Sequence, residues 1–332
     1  MPLTIGWVAW QPGAGPVWAW ATLAAWQLLL ALAECVPGLQ TSPQSAPMGW
    51  VHRGVLRVHL VLQAALLAEG VYLSAQPDSS MVAVVAMGLA VGGVTGAQGI
   101  TYAHELGHSR LRSDRILAWV LMGSVCYSHF MVEHYRGHHR HVATPADAAT
   151  ARFGESLWAF LPRTLKGSWL SAWRLESQRL LTRGWGWRRS PLAWVCVAQL
   201  VGLVVLAKLC GLNALLFWVV QAAYAVFLLE TVNYIEHYGL QRRPHAQGVE
   251  PFGVQHAWNT DRWWTNCILV NLQRHSDHHL HAAKPYSELQ ALDGPQLPTG
   301  YAGCLFLAMV PPWWRRVMHR RWPLHHLVPQ TK

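Results

Sequence analysis

Histidine is the residue type of this chain whose positions could do chemistry, because it occurs in four clusters with regular spacing. An i, i+4 spacing places two imidazoles on one face of a helix, where both can bind one ion. The clusters are His104-Glu-Leu-Gly-His108, His134-Tyr-Arg-Gly-His138-His139, Glu236-His237 and His275-Ser-Asp-His278-His279. One pair alone would be an ordinary surface feature, but four clusters predict a metal site.

The number of clustered histidines indicates how many ions such a site holds. The nine candidate ligands are His104, His108, His134, His138, His139, His237, His275, His278 and His279. One zinc ion takes four ligands, so a single zinc site would leave about half of them unused. Two ions with four or five ligands each would use all nine. Imidazole suits iron, zinc and copper alike, so the ligands alone leave the metal open.

The first cluster also matches a different enzyme class. His104-Glu105-x-x-His108 has the pattern of zinc proteases, in which the glutamate is the general base. Asp293 could then serve as a distant third ligand, as in intramembrane metalloproteases. This alternative leaves seven clustered histidines unexplained, and Asp293 lies in a polar segment rich in Pro and Gly. An intramembrane zinc metalloprotease is therefore a remote alternative.

Long apolar helices are the elements that must position these histidines. The chain is 52% hydrophobic and only 13% charged, which favours a polytopic membrane protein. Apolar windows of roughly 20 residues, the length of a membrane span, cover residues 15–35, 56–75, 81–103, 191–210 and 214–235. A shorter stretch from Ile116 to Met131 predicts a buried or interfacial helix. We therefore predict an all-α, polytopic transmembrane bundle of about five to six spans, formed as one domain over residues 1–332.

Arginines in the loops predict which side of the membrane the histidines face. Cytoplasmic loops collect Lys and Arg, and the arginines next to the predicted spans are Arg53, Arg57, Arg110, Arg112, Arg115, Arg183, Arg188 and Arg189. Residues 1–14 contain no Lys or Arg, which predicts an outer N-terminus without a cleavable signal peptide. The expected location is a bacterial-type inner membrane, with a cytoplasmic, histidine-rich cap formed by residues 104–190 and 236–332.

The net charge of +10 narrows the classes of partner. Two explanations remain open: attraction to anionic lipid under the positive-inside rule, or a docking face for an acidic protein. No motif supports binding of nucleic acid. The six cysteines form no Cys-x-x-Cys pair, which excludes a fused rubredoxin-like or zinc-ribbon module.

Longer motifs around the histidines resemble a known family. They are Glu133-His-Tyr-Arg-Gly-His-His-Arg140, Asn233-Tyr-Ile-Glu-His-Tyr-Gly-Leu240 and Leu272-Gln-Arg-His-Ser-Asp-His-His279, with supporting stretches at Val142-Ala-Thr-Pro145 and Leu297-Pro-Thr-Gly-Tyr301. Together with the first cluster, they are similar to the membrane alkane 1-monooxygenases of the desaturase and hydroxylase superfamily. The His-Tyr-Gly element separates this group from acyl desaturases, although xylene-type aromatic monooxygenases share much of it.

The resemblance implies a diiron enzyme that hydroxylates the terminal methyl group of n-alkanes to 1-alkanols with O2. It implies that all nine histidines hold two iron ions. It also implies that a rubredoxin, which is reduced by a rubredoxin reductase, delivers the electrons. The basic residues Arg315, Arg316, Arg320 and Arg321 would suit this small acidic donor. A related diiron enzyme acting on aromatic methyl groups or on fatty acyl lipids is the second reading, and a non-catalytic metal-binding membrane protein is a distant third.

Other residues have weaker expectations. Four acids next to the ligands are candidates to accept imidazole N–H groups, with plain helix-end or surface acids as the alternative: Glu105, Glu133, Glu236 and Asp277. His129, His141 and His281 neighbour the clusters and are interpreted as solvated or as outer partners. Trp26, midway along the first span, could limit the chain length of a substrate, with ordinary packing as the alternative.

Overall fold

The computed structural model describes residues 16–34, 36 and 45–322, and its regular structure is almost entirely helical, as the apolar windows predict. The longer helices are α1 (Pro16–Ala33), α2 (Trp50–Ser74), α3 (Met81–Val94), α4 (Thr101–His108), α5 (Arg112–Ser124), α8 (Leu157–Thr182), α9 (Pro191–Glu236), α12 (Tyr301–Ala308) and α13 (Pro311–Arg321). The short helices are α6 (Phe130–Glu133), α7 (His139–His141), α10 (Trp263–Ile268) and α11 (His275–Leu280). The short antiparallel strands β1 (Pro244–His245) and β2 (Gly248–Val249) pair with each other.

The described chain divides into two compact units. The first unit takes residues 16–29, 49–132 and 172–229, and the second takes the remaining described residues, chiefly 133–171 and 230–322. The first unit contains most of the long apolar helices together with His104 and His108. The second unit contains the other seven candidate ligands.

Three helical segments of the described chain are long and apolar enough to cross a membrane: Trp50–Ser74, Met81–His108 and Pro191–Glu236. The third, α9, has 46 residues and would be about 70 Å long if straight, more than twice the roughly 30 Å of a bilayer core. Gly211 interrupts it with φ of 86°, a conformation that glycine adopts without steric cost. The break falls between the predicted spans 191–210 and 214–235. α1 coincides with the first predicted span, while the total number of spans and their orientation stay predictions.

Glycines let α3 pack closely against the second half of α9 within the first unit. A Cβ built on Gly88 would lie 2.8 Å from the side chain of Val220, and one on Gly92 would lie 2.7 Å from the carbonyl oxygen of Gln221. The contact partner in α9 changes from Val220 to Gln221 as the glycine in α3 changes from Gly88 to Gly92. The two segments therefore run parallel. Small residues at such interfaces allow the backbones of membrane helices to approach each other. The buried cluster of Leu67, Val84, Met87, Val91 and Phe217 extends this packing to α2.

Replacing Gly92 with Ala is expected to destabilise the first unit, because the added methyl group would overlap the backbone of Gln221. Overpacking of this kind costs about 1–3 kcal/mol. Gly202→Ala is the matched control, since Gly202 also lies in α9 but has open space around its would-be Cβ. The measurement is the unfolding temperature of the protein in detergent. Equal unfolding temperatures for the two variants would contradict this account of the packing.

The predicted helix from Ile116 to Met131 is shorter than the apolar stretch suggested. α5 ends at Ser124, and the chain turns at Cys126, whose φ of 55° is left-handed, before the short helix α6. The hydroxyl of Ser124 donates to the carbonyl oxygen of Leu121 at 2.6 Å, which satisfies one of the last carbonyl groups of α5. Because this stretch is hydrophobic throughout, its composition did not indicate the turn. The helix that does form is partly buried through Leu121 and Met122, which agrees with the predicted character.

Candidate metal centre

His104 and His108 lie on one face of α4, as their spacing predicts. Their ring centroids are 4.9 Å apart, and His104 is buried while His108 is half-buried. A π-helical segment, Thr95–Ile100, precedes α4 and continues directly into it. The extra residue of a π turn rotates the following helix face by about 100°, and such turns are frequent at functional sites. Spacing alone predicts the pair, but it does not predict this rotation.

Four histidines of the second unit bring their ring nitrogens together. His138, His237, His275 and His279 each offer a nitrogen, and these atoms all lie within 4.8 Å of one another. The Nε2 atom of His275 lies 3.1 Å from Nε2 of His237 and 2.9 Å from Nε2 of His279. Two ligands at about 2.1 Å from one ion and at right angles to each other are separated by about 3 Å. The spacing of these nitrogens therefore fits a bound metal ion.

A second group in the same unit contains His134, His139 and His278, whose candidate ligand atoms also lie within 4.8 Å of one another. The Nε2 atoms of His134 and His139 are 3.0 Å apart. This group is next to the first one, since the ring centroids of His139 and His279 are 4.6 Å apart. The second unit therefore holds two adjacent groups of imidazoles.

The pairing of His134 differs from the one its spacing indicated. An α-helical i, i+4 relation would place His134 with His138, but the structure groups His134 with His139, at i+5. The cause is a second π-helical segment, His134–His138, because a π turn aligns residues five apart. His138 belongs to the other group as a result. Because of the π turn, the histidines of this one sequence cluster belong to two different groups of candidate ligands.

Burial keeps two of these imidazoles, His237 and His279, in the neutral form that binds metal. Burial, together with the charge of the neighbouring His138, lowers the pKa of His237 to about 3. Burial also holds the pKa of His279 well below its usual value. Both rings are therefore neutral at pH 7, and a neutral imidazole offers a lone pair to a metal ion. The donor set is suited to iron, zinc or copper.

Asp147 contacts the candidate ligand His138 and is a residue that the sequence analysis did not predict. Its Oδ2 lies 2.9 Å from Nδ1 of His138 and accepts a 2.6 Å hydrogen bond from the hydroxyl of Thr150, while Oδ1 accepts one from the backbone N–H of Ala149. Burial alone would raise the pKa of Asp147, but the charge and hydrogen bond of His138 outweigh it and lower the pKa. A carboxylate at Nδ1 fixes the tautomer that leaves Nε2 free for a metal. The sequence feature that could have indicated its role is an Asp followed three residues later by Thr, which is typical of a local turn.

Glu236 and Glu133 are two of the four acids singled out from the sequence, and both are buried in the second unit. The Oε1 atom of Glu236 lies 3.2 Å from Nδ1 of His275 and accepts a 2.6 Å hydrogen bond from the hydroxyl of Tyr301. Burial, together with the charge of Asp147, raises the pKa of Glu133 to about 8, against the opposing effects of His138 and of a hydrogen bond with Ser171. Glu133 is therefore largely protonated at pH 7.

The other two acids have different surroundings. Glu105 is half-buried beside His104. Asp277 receives hydrogen bonds from Lys284 at 2.6 Å and from the backbone N–H of Gln290 at 2.7 Å, and it lies 2.8 Å from Nδ1 of His281. These three contacts connect Asp277 to the loop after α11.

The remaining singled-out residues lie outside the two histidine groups of the second unit. His129 is buried in the first unit against the ring of Tyr127, whereas His281 is exposed. The side chain of Trp26 falls outside the described residues. The four arginines of α13 are all exposed: Arg315, Arg316, Arg320 and Arg321.

Comparisons with known proteins identify the family of the chain. A family model described as fatty acid desaturase matches residues 79–308. Alkane 1-monooxygenase 1 of Pseudomonas aeruginosa is 46% identical over 235 residues, which cover 69% of this chain and 61% of that protein. Alkane 1-monooxygenase 2 of the same organism is 38% identical over 314 residues, or 91% of this chain and 83% of that protein. The xylene/toluene monooxygenase hydroxylase component XylM of Pseudomonas putida is 26% identical over 304 residues, or 90% of this chain and 81% of that protein.

The length of the match varies among these relatives. The chain spans about three fifths of the first alkane 1-monooxygenase but more than four fifths of the second. The family model covers the segments that carry all nine candidate ligands, from His104 to His279. By this coverage and identity, the chain belongs to the fatty acid desaturase family and, within it, to the alkane 1-monooxygenase or alkane hydroxylase family.

Proposed function

We propose that this chain is a diiron monooxygenase that hydroxylates the terminal methyl group of n-alkanes to 1-alkanols with O2. The observation that carries the proposal is the convergence of the ring nitrogens of His138, His237, His275 and His279, next to a second imidazole group, in a relative of alkane 1-monooxygenases. The proposed iron ligands are all nine histidines of the four clusters. His104 and His108 are included because their motif matches that of the family.

The protein's own groups have defined tasks in this proposal. When bound, the two irons would supply reductive activation of O2 and oxidation of an unactivated C–H bond. Asp147 holds the proton of His138 at Nδ1, and burial keeps His237 and His279 neutral. Phe252, with its ring centroid 5.1 Å from that of His279, places an apolar ring next to this proposed ligand.

The proposed function requires a location for the protein and a source of electrons. Long apolar helices and membership of an integral-membrane family indicate a membrane protein. We propose a single domain in a bacterial-type inner membrane, with the metal ligands on the cytoplasmic side and an apolar substrate that arrives from the lipid. A rubredoxin, reduced by its reductase, would dock on the exposed arginines of α13, because opposite charges steer a small acidic protein to a basic surface.

A second candidate substrate has some support. The 26% identity with XylM over 90% of this chain favours an aromatic methyl group as the alternative to an n-alkane. Both substrates present a C–H bond of a methyl group in an apolar molecule. Fatty acyl chains are a third possibility within the same chemistry.

Product analysis is the direct test of the proposed function. Cells that express the chain with a rubredoxin and its reductase are fed medium-chain n-alkanes, xylene or a fatty acid, and the extracts are analysed by gas chromatography. We expect 1-alkanols, which disappear when His237 is replaced by Ala, and two irons in the purified protein. Methylbenzyl alcohol without alkanols would favour the aromatic alternative. No product, with about one zinc bound, would overturn the proposal and support a metalloprotease.

Trp26 is proposed to limit the length of the alkane, because it lies midway along α1 among Ala and Leu residues. Replacing Trp26 with Ser is expected to extend the longest alkane that is hydroxylated. The measurement is the product profile over a series of alkanes of increasing length. An unchanged profile would leave Trp26 with a packing role only.

A further inference from the structure

A buried carboxylate lies directly after the apolar helix α1. Glu34 is only 1% exposed, and its carboxylate accepts hydrogen bonds from the hydroxyl of Thr265, from the backbone N–H of Gly303 at 2.8 Å and from that of Ala302 at 3.2 Å. The two amides belong to the first turn of α12. A negative charge at this position satisfies free amides and complements the helix dipole. Glu34 therefore fixes where α12 begins and how it is oriented.

The first residue of α12 faces the ligand groups. Tyr301 is 2% exposed, and its hydroxyl donates a 2.6 Å hydrogen bond to Oε1 of Glu236. The same oxygen lies 3.2 Å from Nδ1 of His275. The Nε2 atom of His275 points toward His237 and His279. One continuous series of contacts thus connects Glu34, through the start of α12, to a proposed metal ligand.

We propose that Tyr301 is a positioning residue of the metal centre, which holds the Glu236 carboxylate in place beside His275. Glu34 supports it by fixing the start of α12. The proposal rests on the proposed function in one respect, namely that His275 binds a metal. A carboxylate that accepts the Nδ1 proton of a ligand histidine directs the other nitrogen toward the metal. Glu236 is 2% exposed and Tyr301 is its hydroxyl partner, so without that hydroxyl the carboxylate loses the contact that orients it.

The arrangement around Glu236 is similar to the one around Asp147. Asp147 contacts Nδ1 of His138 directly and is itself held by Thr150. Glu236 lies beside Nδ1 of His275 and is itself held by Tyr301. In both cases a hydroxyl donates to the carboxylate that faces a ligand imidazole. The group of four histidines therefore contains two hydroxyl–carboxylate–imidazole arrangements.

The variant Tyr301→Phe tests the proposal, because it removes the hydroxyl and keeps the ring. Metal-free purified protein is titrated with Co(II), whose visible absorption reports on ligand geometry, and with Fe(II). We expect the dissociation constant of the weaker-bound ion to rise about tenfold or more, within the range for loss of an outer partner of a ligand, and the Co(II) spectrum to change. The matched control is Tyr234→Phe, since the Tyr234 hydroxyl also makes a buried 2.6 Å hydrogen bond, but to the carbonyl oxygen of Glu155.

The outcomes separate this inference from the proposed function. Wild-type affinity and an unchanged Co(II) spectrum in Tyr301→Phe would overturn the inference, whether or not the enzyme makes alkanols. Equal losses of affinity in Tyr301→Phe and Tyr234→Phe would also overturn it, because they would reflect general destabilisation. If Tyr301→Phe does not fold, Glu236→Gln tests the same contact with the same expected direction, and Glu34→Gln is expected to have a smaller effect. Binding of two ions without any alkanol would reject the proposed function alone.

Discussion

Replacing His275 with Ala is expected to abolish product formation and to remove metal from the purified protein. The Nε2 atom of His275 lies about 3 Å from those of two other candidate ligands, His237 and His279, so this imidazole is central to its group. Its loss removes a bond to the ion itself, and the effect should exceed the 10- to 100-fold losses that follow removal of an outer partner. The measurements are the iron content of the purified variant and the yield of alkanols.

The control for this prediction is His281→Ala. His281 is near the same helix, but its side chain is 60% exposed and it contacts Asp277 rather than another histidine. It should retain metal content and activity. If His275→Ala kept its metal while His281→Ala lost it, the assignment of ligands in α11 would be wrong. Loss of both would indicate that α11 as a whole is sensitive to substitution.

The sequence was sufficient to predict most of the long helices and the histidines that come together. Apolar length predicted α1 and both halves of α9, because a span must satisfy its backbone hydrogen bonds within the helix. It also predicted the break near Gly211, since this glycine and the polar Asn213, two residues later, separate two apolar runs. Hydrophobicity could not predict the turn after Ser124, where local hydrogen bonds and a left-handed Cys126 end α5 within a continuous apolar stretch.

The ligand groups show a second limit of reasoning from the sequence. The i, i+4 rule assumes an α-helix and would pair His134 with His138, whereas the π turn groups His134 with His139. Whether a helix accommodates the extra residue of a π turn depends on the packing around that turn, and the spacing of the histidines does not reveal this packing. Contacts between distant segments could not be predicted either, because Tyr301 follows Glu236 by 65 residues and contacts it only in the folded chain.

Removing the Asp147 carboxylate is expected to have the second largest effect on the metal centre. Asp147→Ala should weaken metal binding about 10- to 100-fold, because Nδ1 of His138 loses the acceptor that fixes its tautomer. Asp147→Asn should have a smaller effect, since its amide oxygen can still accept from Nδ1. The measurement is the affinity for Fe(II), together with the unfolding temperature of the metal-free protein.

The unfolding temperature separates the two contributions of Asp147. The variant Asp147→Ala also leaves the hydroxyl of Thr150 and the N–H of His138 in a buried site without their acceptor, at a cost of about 1–3 kcal/mol for each unsatisfied group. Glu155→Ala is the matched control, because it breaks an ion pair with Arg163 in the same unit but touches no candidate ligand. Both variants should lower the unfolding temperature, and only Asp147→Ala should lower metal affinity. An equal fall in affinity would mean that Asp147 acts through the stability of the second unit and not through His138.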